Sequence, residues 1–145
     1  MFNNANTKSL IDGARVARLA TVDSENIPHV VPVVFVFDGE HYYVPIDEKT
    51  KKDKLGTLKR VNNIQKNPNI ALLIDKYDED WSKLLFVMIH GKASLIGKQG
   101  QEQYAQLEKA HKLLYAKYHQ YEKIGIGEMC IKIYPEKVIT WQMND

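Results

Sequence analysis

The sequence predicts a mainly β domain with flanking helices, in which six or seven antiparallel strands wrap into a barrel. Three observations lead there. Short segments rich in β-branched and apolar residues recur between polar turn signals from Arg15 to Gln142. The segment HVVPVVFVF (29 to 37) is apolar at nearly every position, so both its faces must be covered, one by a barrel interior and the other by a helix, a second subunit or a ligand. Two further segments carry apolar residues at three-four spacing, the pattern of helices laid against a sheet.

Each element follows in order. Residues 6 to 14 read as a short helix, capped by Asn6 or Thr7 and closed by Gly13, with Leu10, Ile11 and Ala14 turned inward to plug one end of the fold. RVARLATVD (15 to 23) and HVVPVVFVF make a hairpin about the polar turn Ser24-Glu25-Asn26. Asp38-Gly39 turns the chain into HYYVPI, a third strand ended by Pro45. The charged loop 47 to 54 leads to a helix of about 13 residues with the stripe Leu55, Leu58, Val61 and Ile64, stopped by Asn67-Pro68. NIALLID (69 to 75) is the fourth strand, and YDEDWSK is a loop with a buried tryptophan. LLFVMIHGKASLI (84 to 96) is a long fifth strand in which Gly91 marks a bulge. Lys98 to Tyr118 forms a surface helix with Tyr104, Leu107, His111, Leu114 and Tyr118 on one face. EMCIKIYPEKVITWQ (128 to 142) supplies one or two last strands, broken at Tyr134-Pro135.

Composition bounds the function. A chain of 145 residues without repeats or linkers is one domain, residues 1 to 145, and a domain of this size buries most of its surface without staples. Its formal charge of +2 gives no reason to expect nucleic acid or an anionic membrane as partner. The single cysteine, Cys130, lies between Met129 and Ile131 and reads as a structural thiol. No segment approaches the ~20 apolar residues of a membrane span, and the N-terminus lacks the pattern of a signal peptide, so a cytoplasmic protein is expected.

Few motifs carry chemistry. The five histidines are scattered without metal-ligand spacing, and dinucleotide, P-loop and nucleophile-elbow motifs are absent, so no metal is expected. What remains is the run Lys49, Lys51, Lys52 and Lys54 between a strand end and a helix start. Free backbone N–H groups and the helix dipole favour an anion at such a corner, and a solvated loop is the bland alternative.

The order of the parts is more specific than any one of them. ARLATVD (17 to 23), IPHVVPVVF (27 to 35), a DG turn, VPI (44 to 46), a lysine cluster, a helix and NPNIALLID (67 to 75) together resemble the pyridoxamine 5′-phosphate oxidase-like FMN-binding split barrels. YDEDWSKL (77 to 84) followed by the V-x-I-x-G-K-A of residues 87 to 93 is similar to a subgroup of probable deazaflavin-dependent enzymes, whose coenzyme is F-420.

This resemblance implies a dimeric split β-barrel that holds FMN or the deazaflavin coenzyme F-420 at the interface of a homodimer, with a small organic molecule as substrate. It implies that Pro32, Val33 and Val34 lie under the ring, that Val44, Pro45 and Ile46 line ring and ribityl chain, and that Lys51 and Lys52 hold the phosphate, with Lys49 as a third contact. Many relatives have an arginine where this chain has only lysine, a point charge without the bidentate fork. Trp81 either packs over the cofactor from the second subunit or anchors the acidic loop Asp78-Glu79-Asp80, while Trp141 matches a late aromatic only loosely. Since the cofactor carries the electrons, no protein nucleophile or base is needed, and no catalytic residue is assigned. The expected activity is hydride transfer between cofactor and substrate; a cofactor-binding or carrier protein without turnover is the alternative.

Overall fold

The computed structural model describes residues 5–47 and 58–143. The chain runs α1 (Ala5–Gly13), β1 (Ala17–Val22), β2 (Pro28–Val33), β3 (Val36–Phe37), β4 (Tyr42–Ile46), α2 (Lys59–Lys66) and β5 (Asn69–Lys76). A 3-10 turn (Trp81–Lys83), β6 (Leu85–Ile96), α3 (Gln101–Lys117), α4 (Tyr121–Ile124) and β7 (Met129–Gln142) complete it. The described strands form one antiparallel sheet of seven in the order β2-β1-β5-β6-β7-β4-β3. Curled on itself, this sheet makes a split barrel whose two edge strands, β2 and β3, follow each other in the chain.

Alternation along the strands sorts the side chains. Leu19, Leu72, Ile74, Val87, Ile89, Ile131 and Ile133 point into the barrel and are fully buried. Ile11 of α1 and Val61 and Ile64 of α2 join this core. A second cluster forms on the outside, where Leu107, Ala110 and Leu114 of α3 meet Tyr43, Ile96 and Cys130. Burying these apolar side chains is worth on the order of 1.5–3 kcal/mol each, before ordering costs are subtracted. Cys130 is a core residue as expected, and burial, followed by the Asp47 charge, pushes its thiol up to about 12.

Several expectations need correction. The segment 29 to 37 is not one strand: it breaks between β2 and β3 at Val34-Phe35. Phe35 in this break is buried, and side chains satisfy its backbone. Phe35 N donates to the Tyr118 hydroxyl (3.2 Å), and Lys117 Nζ donates to the Phe35 carbonyl (3.0 Å). Conversely, residues 129–142 do not split at Tyr134-Pro135. The register shift between His90 and Gly91 creates the predicted bulge, and Pro135 lies opposite Gly91, beyond the stretch of β7 that β4 pairs. A proline costs little there, because its missing N–H faces no neighbouring strand. Within the described residues α2 is eight residues long, with Asn67 as its stop. Tyr104 leaves the stripe of α3 for solvent, and Ala110 takes its place.

Candidate cofactor corner

The two expected turns form as read. Asp23 Oδ1 accepts from the amides of Glu25 and Ile27, and Asn26 takes φ of 64°. Asp38 Oδ1 accepts from Glu40 N and His41 N, and Gly39 takes φ of 102°, a conformation that needs no strain only in glycine. The first turn joins β1 to β2, and the second fixes how β4 enters the sheet.

β4 is the strand on which the corner is built. Its side toward β7 is fully paired from Tyr42 to Ile46, whereas β3 pairs only with Tyr42 and Tyr43 on the other side. Beyond Tyr43 that backbone edge of Val44, Pro45 and Ile46 meets no strand among the described residues. The side chains of Val44 and Ile46 are spent on the core, each 1% exposed. All three residues are buried, and Pro45, which alternates away from β7, has no N–H to donate, so they shape the end of β4 without presenting a free backbone donor. On the β7 side Gly127 approaches so closely that a Cβ there would collide with the Ile46 carbonyl oxygen. The end of β4 is thereby clamped.

Three polar side chains gather where β4 ends and α2 begins. Asp47 Oδ2 accepts from the Tyr121 hydroxyl (3.1 Å), while its Oδ1 is buried without a partner among the described residues. Arg60, in the first turn of α2, has a buried Nε that likewise has no partner among the described residues. Burial pulls the guanidinium below its ordinary range, and the Asp47 charge partly restores it. Such orphaned buried groups are uncommon and call for an explanation. Lys59 is exposed and pairs with Asp23 at 3.5 Å. Asn63 Nδ2 donates to the buried Thr21 hydroxyl (2.9 Å) and so ties α2 to β1.

The other expected site residues fall in different places. Lys49, Lys51 and Lys52 lie outside the described residues. Pro32 and Val33 cannot share one floor: Pro32 points away from the barrel core and Val33 (8% exposed) into it, with Val34 half-buried in the break. Trp81, read as buried, is 59% exposed, and its indole N–H reaches the Tyr77 hydroxyl at 3.4 Å. The loop 78–80 is ordered by its own acids, since Asp80 Oδ1 accepts from Ser82 N (3.2 Å) and Asp78 Oδ1 from Asp80 N (2.8 Å). Trp141 stands on the outer face of the sheet with its ring stacked on Phe86 at 5.8 Å. Arg60 and Asp47 were missed in the sequence. A lone arginine inside a polar helix and an acid beside a lysine run give no signal without the fold.

Among the described residues no group of three or more His, Cys, Asp or Glu side chains could hold a metal, and no helix is long and apolar enough to cross a membrane.

Comparison with known proteins agrees with this architecture. The pyridoxamine 5′-phosphate oxidase family profile matches residues 4–142. A 5a,11a-dehydrotetracycline/5a,11a-dehydrooxytetracycline reductase of Streptomyces rimosus is 29% identical over 125 residues, covering 86% of this chain and 72% of the reductase. Among solved structures, an FAD-binding protein from Mesorhizobium loti superposes with a TM-score of 0.71 at 17% identity, covering 96% of this chain and 94% of that one. HutZ, a heme storage protein from Vibrio cholerae, superposes with a TM-score of 0.71 at 15% identity, covering 98% and 95%. At these identities the two structures bear on fold alone.

Proposed function

Because this chain belongs to the pyridoxamine 5′-phosphate oxidase family, we propose that it is an oxidoreductase that holds FMN or the deazaflavin F-420 at the β4–α2 corner and passes hydride between that cofactor and a small organic substrate. The observation that carries this reading is the pair of buried atoms without a partner among the described residues, Asp47 Oδ1 and Arg60 Nε, beside the end of β4. They suit two different parts of one ligand. A phosphate accepts from the Arg60 guanidinium, which offers the fork that the lysines lack. Asp47 Oδ1 accepts from a ribityl hydroxyl, and residues 44–46 line the ring and chain. Lys51 and Lys52 add charge to the same phosphate.

The bound cofactor supplies the hydride chemistry, and the chain supplies position. Tyr121 fixes Asp47, Gly127 lets β4 end against its neighbour, and Asn63 with Thr21 sets the helix that carries Arg60. A second subunit covers the ring from the outer face of the sheet, so the working unit is a homodimer. The 29% identical reductase supports turnover rather than mere carriage.

Titrating the purified, cofactor-free protein with FMN and with F-420 while following fluorescence of its two tryptophans tests the reading. Saturable binding of one of them at one per chain is expected, and binding of neither defeats it. Arg60→Ala should weaken that affinity by about 1–3 kcal/mol, the scale of a lost charged hydrogen bond, while Lys59→Ala, at an exposed ion pair, should cost well under half as much. Reduction of the bound cofactor by a donor and its reoxidation by an added organic acceptor distinguish an enzyme from a carrier.

A further inference from the structure

The end of the barrel opposite α2 carries a groove of about 860 Å³ that the cofactor corner does not use. It runs between α1, the start of β1, the end of β5 and the 3-10 turn ahead of β6. Lys59, next to Arg60, pairs with Asp23 just past the end of β1, whereas the groove lies at Arg15, Val16 and Arg18 at its start, roughly 16 Å away along the strand at the usual rise. The two sites in one chain are therefore separate.

The lining is of two kinds. Leu10, Val16 and Leu85 give an apolar floor. Around it stand four cations, Arg15, Arg18, Lys76 and Lys83, against one carboxylate, Asp75. Asp75 is already engaged by Arg18 at 2.8 Å. Among the described residues Arg15, Lys76 and Lys83 make no ion pair, and Arg15 instead lies over the Tyr118 ring at 4.4 Å from its centre. Tyr77, 65% exposed, adds an aromatic side chain at the rim. These three cations are exposed side chains at the rim of an apolar floor, so an anion whose apolar body rests on that floor can pair with them.

We propose that this groove binds an amphiphilic organic acid, a small molecule whose flat apolar body lies on Leu10, Val16 and Leu85 while one or two acid groups pair with Arg15, Lys76 and Lys83. The volume is that of a site for a small ligand, within the usual range of several hundred to a thousand Å³. Charge decides the class. A neutral or cationic ligand of the same size would fill the floor and leave the three cations unpaired.

The probe is 8-anilinonaphthalene-1-sulfonate, an aromatic monoanion, titrated into the full-length protein while its fluorescence is read. Saturation at one per chain is expected, and the uncharged analogue N-phenyl-1-naphthylamine should bind at least tenfold more weakly. The double change Lys76→Glu with Lys83→Glu should cost at least tenfold in sulfonate affinity and leave flavin titration as in the wild type. Lys83→Gln, on an exposed turn, should lose several-fold and keeps the test open if the double variant does not fold. Equal binding of the two probes, or sulfonate affinity indifferent to Lys83→Gln, overturns the proposal. Displacement of the sulfonate by poly-glutamate ahead of a small aromatic carboxylate would also overturn it, since the partner would then be an acidic polypeptide. Loss of flavin binding with the groove intact would count against the cofactor reading alone.

Discussion

Lys117 holds its charge in a place that resists it. Its Nζ donates to the Phe35 carbonyl and lies 3.9 Å above the centre of the Phe35 ring, which favours the ammonium form. Burial works against that, as does the neighbouring Arg15, and despite Asp12 the pKa falls to about 8. The linkage has a definite sign. Between pH 8 and the unfolded value of 10.5 the unfolded chain keeps a proton that the folded chain has released, so this residue makes stability rise with pH in that window. Below pH 8 the penalty is complete. Lys117→Met should flatten this part of the profile, measured as the wild-type minus variant difference in urea unfolding at pH 7.5 and pH 10. An unchanged difference would mean that the cation is comfortable where it lies. The same scale explains why part of the site could not be read. Clustered lysines attract attention in a sequence, whereas the significance of Arg60 lies in burial beside Asp47, and burial is a property of the fold.

Elements were legible where their signals are local. Asp38-Gly39 and Ser24-Glu25-Asn26 announce their turns because a side-chain carboxylate or a positive φ does the work within a few residues. Gly91 could be read as a bulge, and the structure supplies the reason: a Cβ there would collide with the Tyr134 carbonyl across the ladder. Gly127 makes the same kind of approach to Ile46, yet nothing near it in sequence reveals a contact with a strand more than eighty residues earlier. The continuity of β7 was hidden for a similar reason, since whether Pro135 breaks a strand depends on whether a neighbour needs its N–H. Two predictions separate these glycines. Gly91→Ala and Gly127→Ala should each lower unfolding free energy by about 1–3 kcal/mol, the usual cost of forcing extra volume into packed structure. Only Gly127→Ala should also weaken flavin binding in a titration, because it alone displaces the end of β4. Equal effects on flavin affinity would detach that strand end from the site.

At the scale of the molecule, one surface is left unexplained by the single chain. Alternate residues of β2, β1, β5, β6 and β7 point away from both cores and bring Val30, Ala20, Leu73, Phe86, Met88, Ile139 and Trp141 onto one face of the sheet. None of them belongs to either buried cluster, and Val30 and Trp141 remain 59% and 42% exposed. The near-continuous apolar run of residues 29 to 37 is explained only in part by the barrel interior, which takes Val31, Val33 and Phe35 and leaves Val30 and Pro32 outside. A broad apolar face of this kind is rarely left to water, and a two-fold axis lets the same patch cover itself. Sedimentation or light scattering of the purified protein should therefore give a dimer. Ile139→Asp should shift it to monomer, because an isologous interface buries two unpaired carboxylates for each substitution. If the cofactor lies between the subunits, that variant should also lose at least tenfold in flavin affinity, although Ile139 is on β7 and far along the chain from Asp47 and Arg60. A monomeric Ile139→Asp chain that binds flavin as tightly as the wild type would place the whole cofactor within one subunit, and a monomeric wild type would remove the outer face from the site altogether.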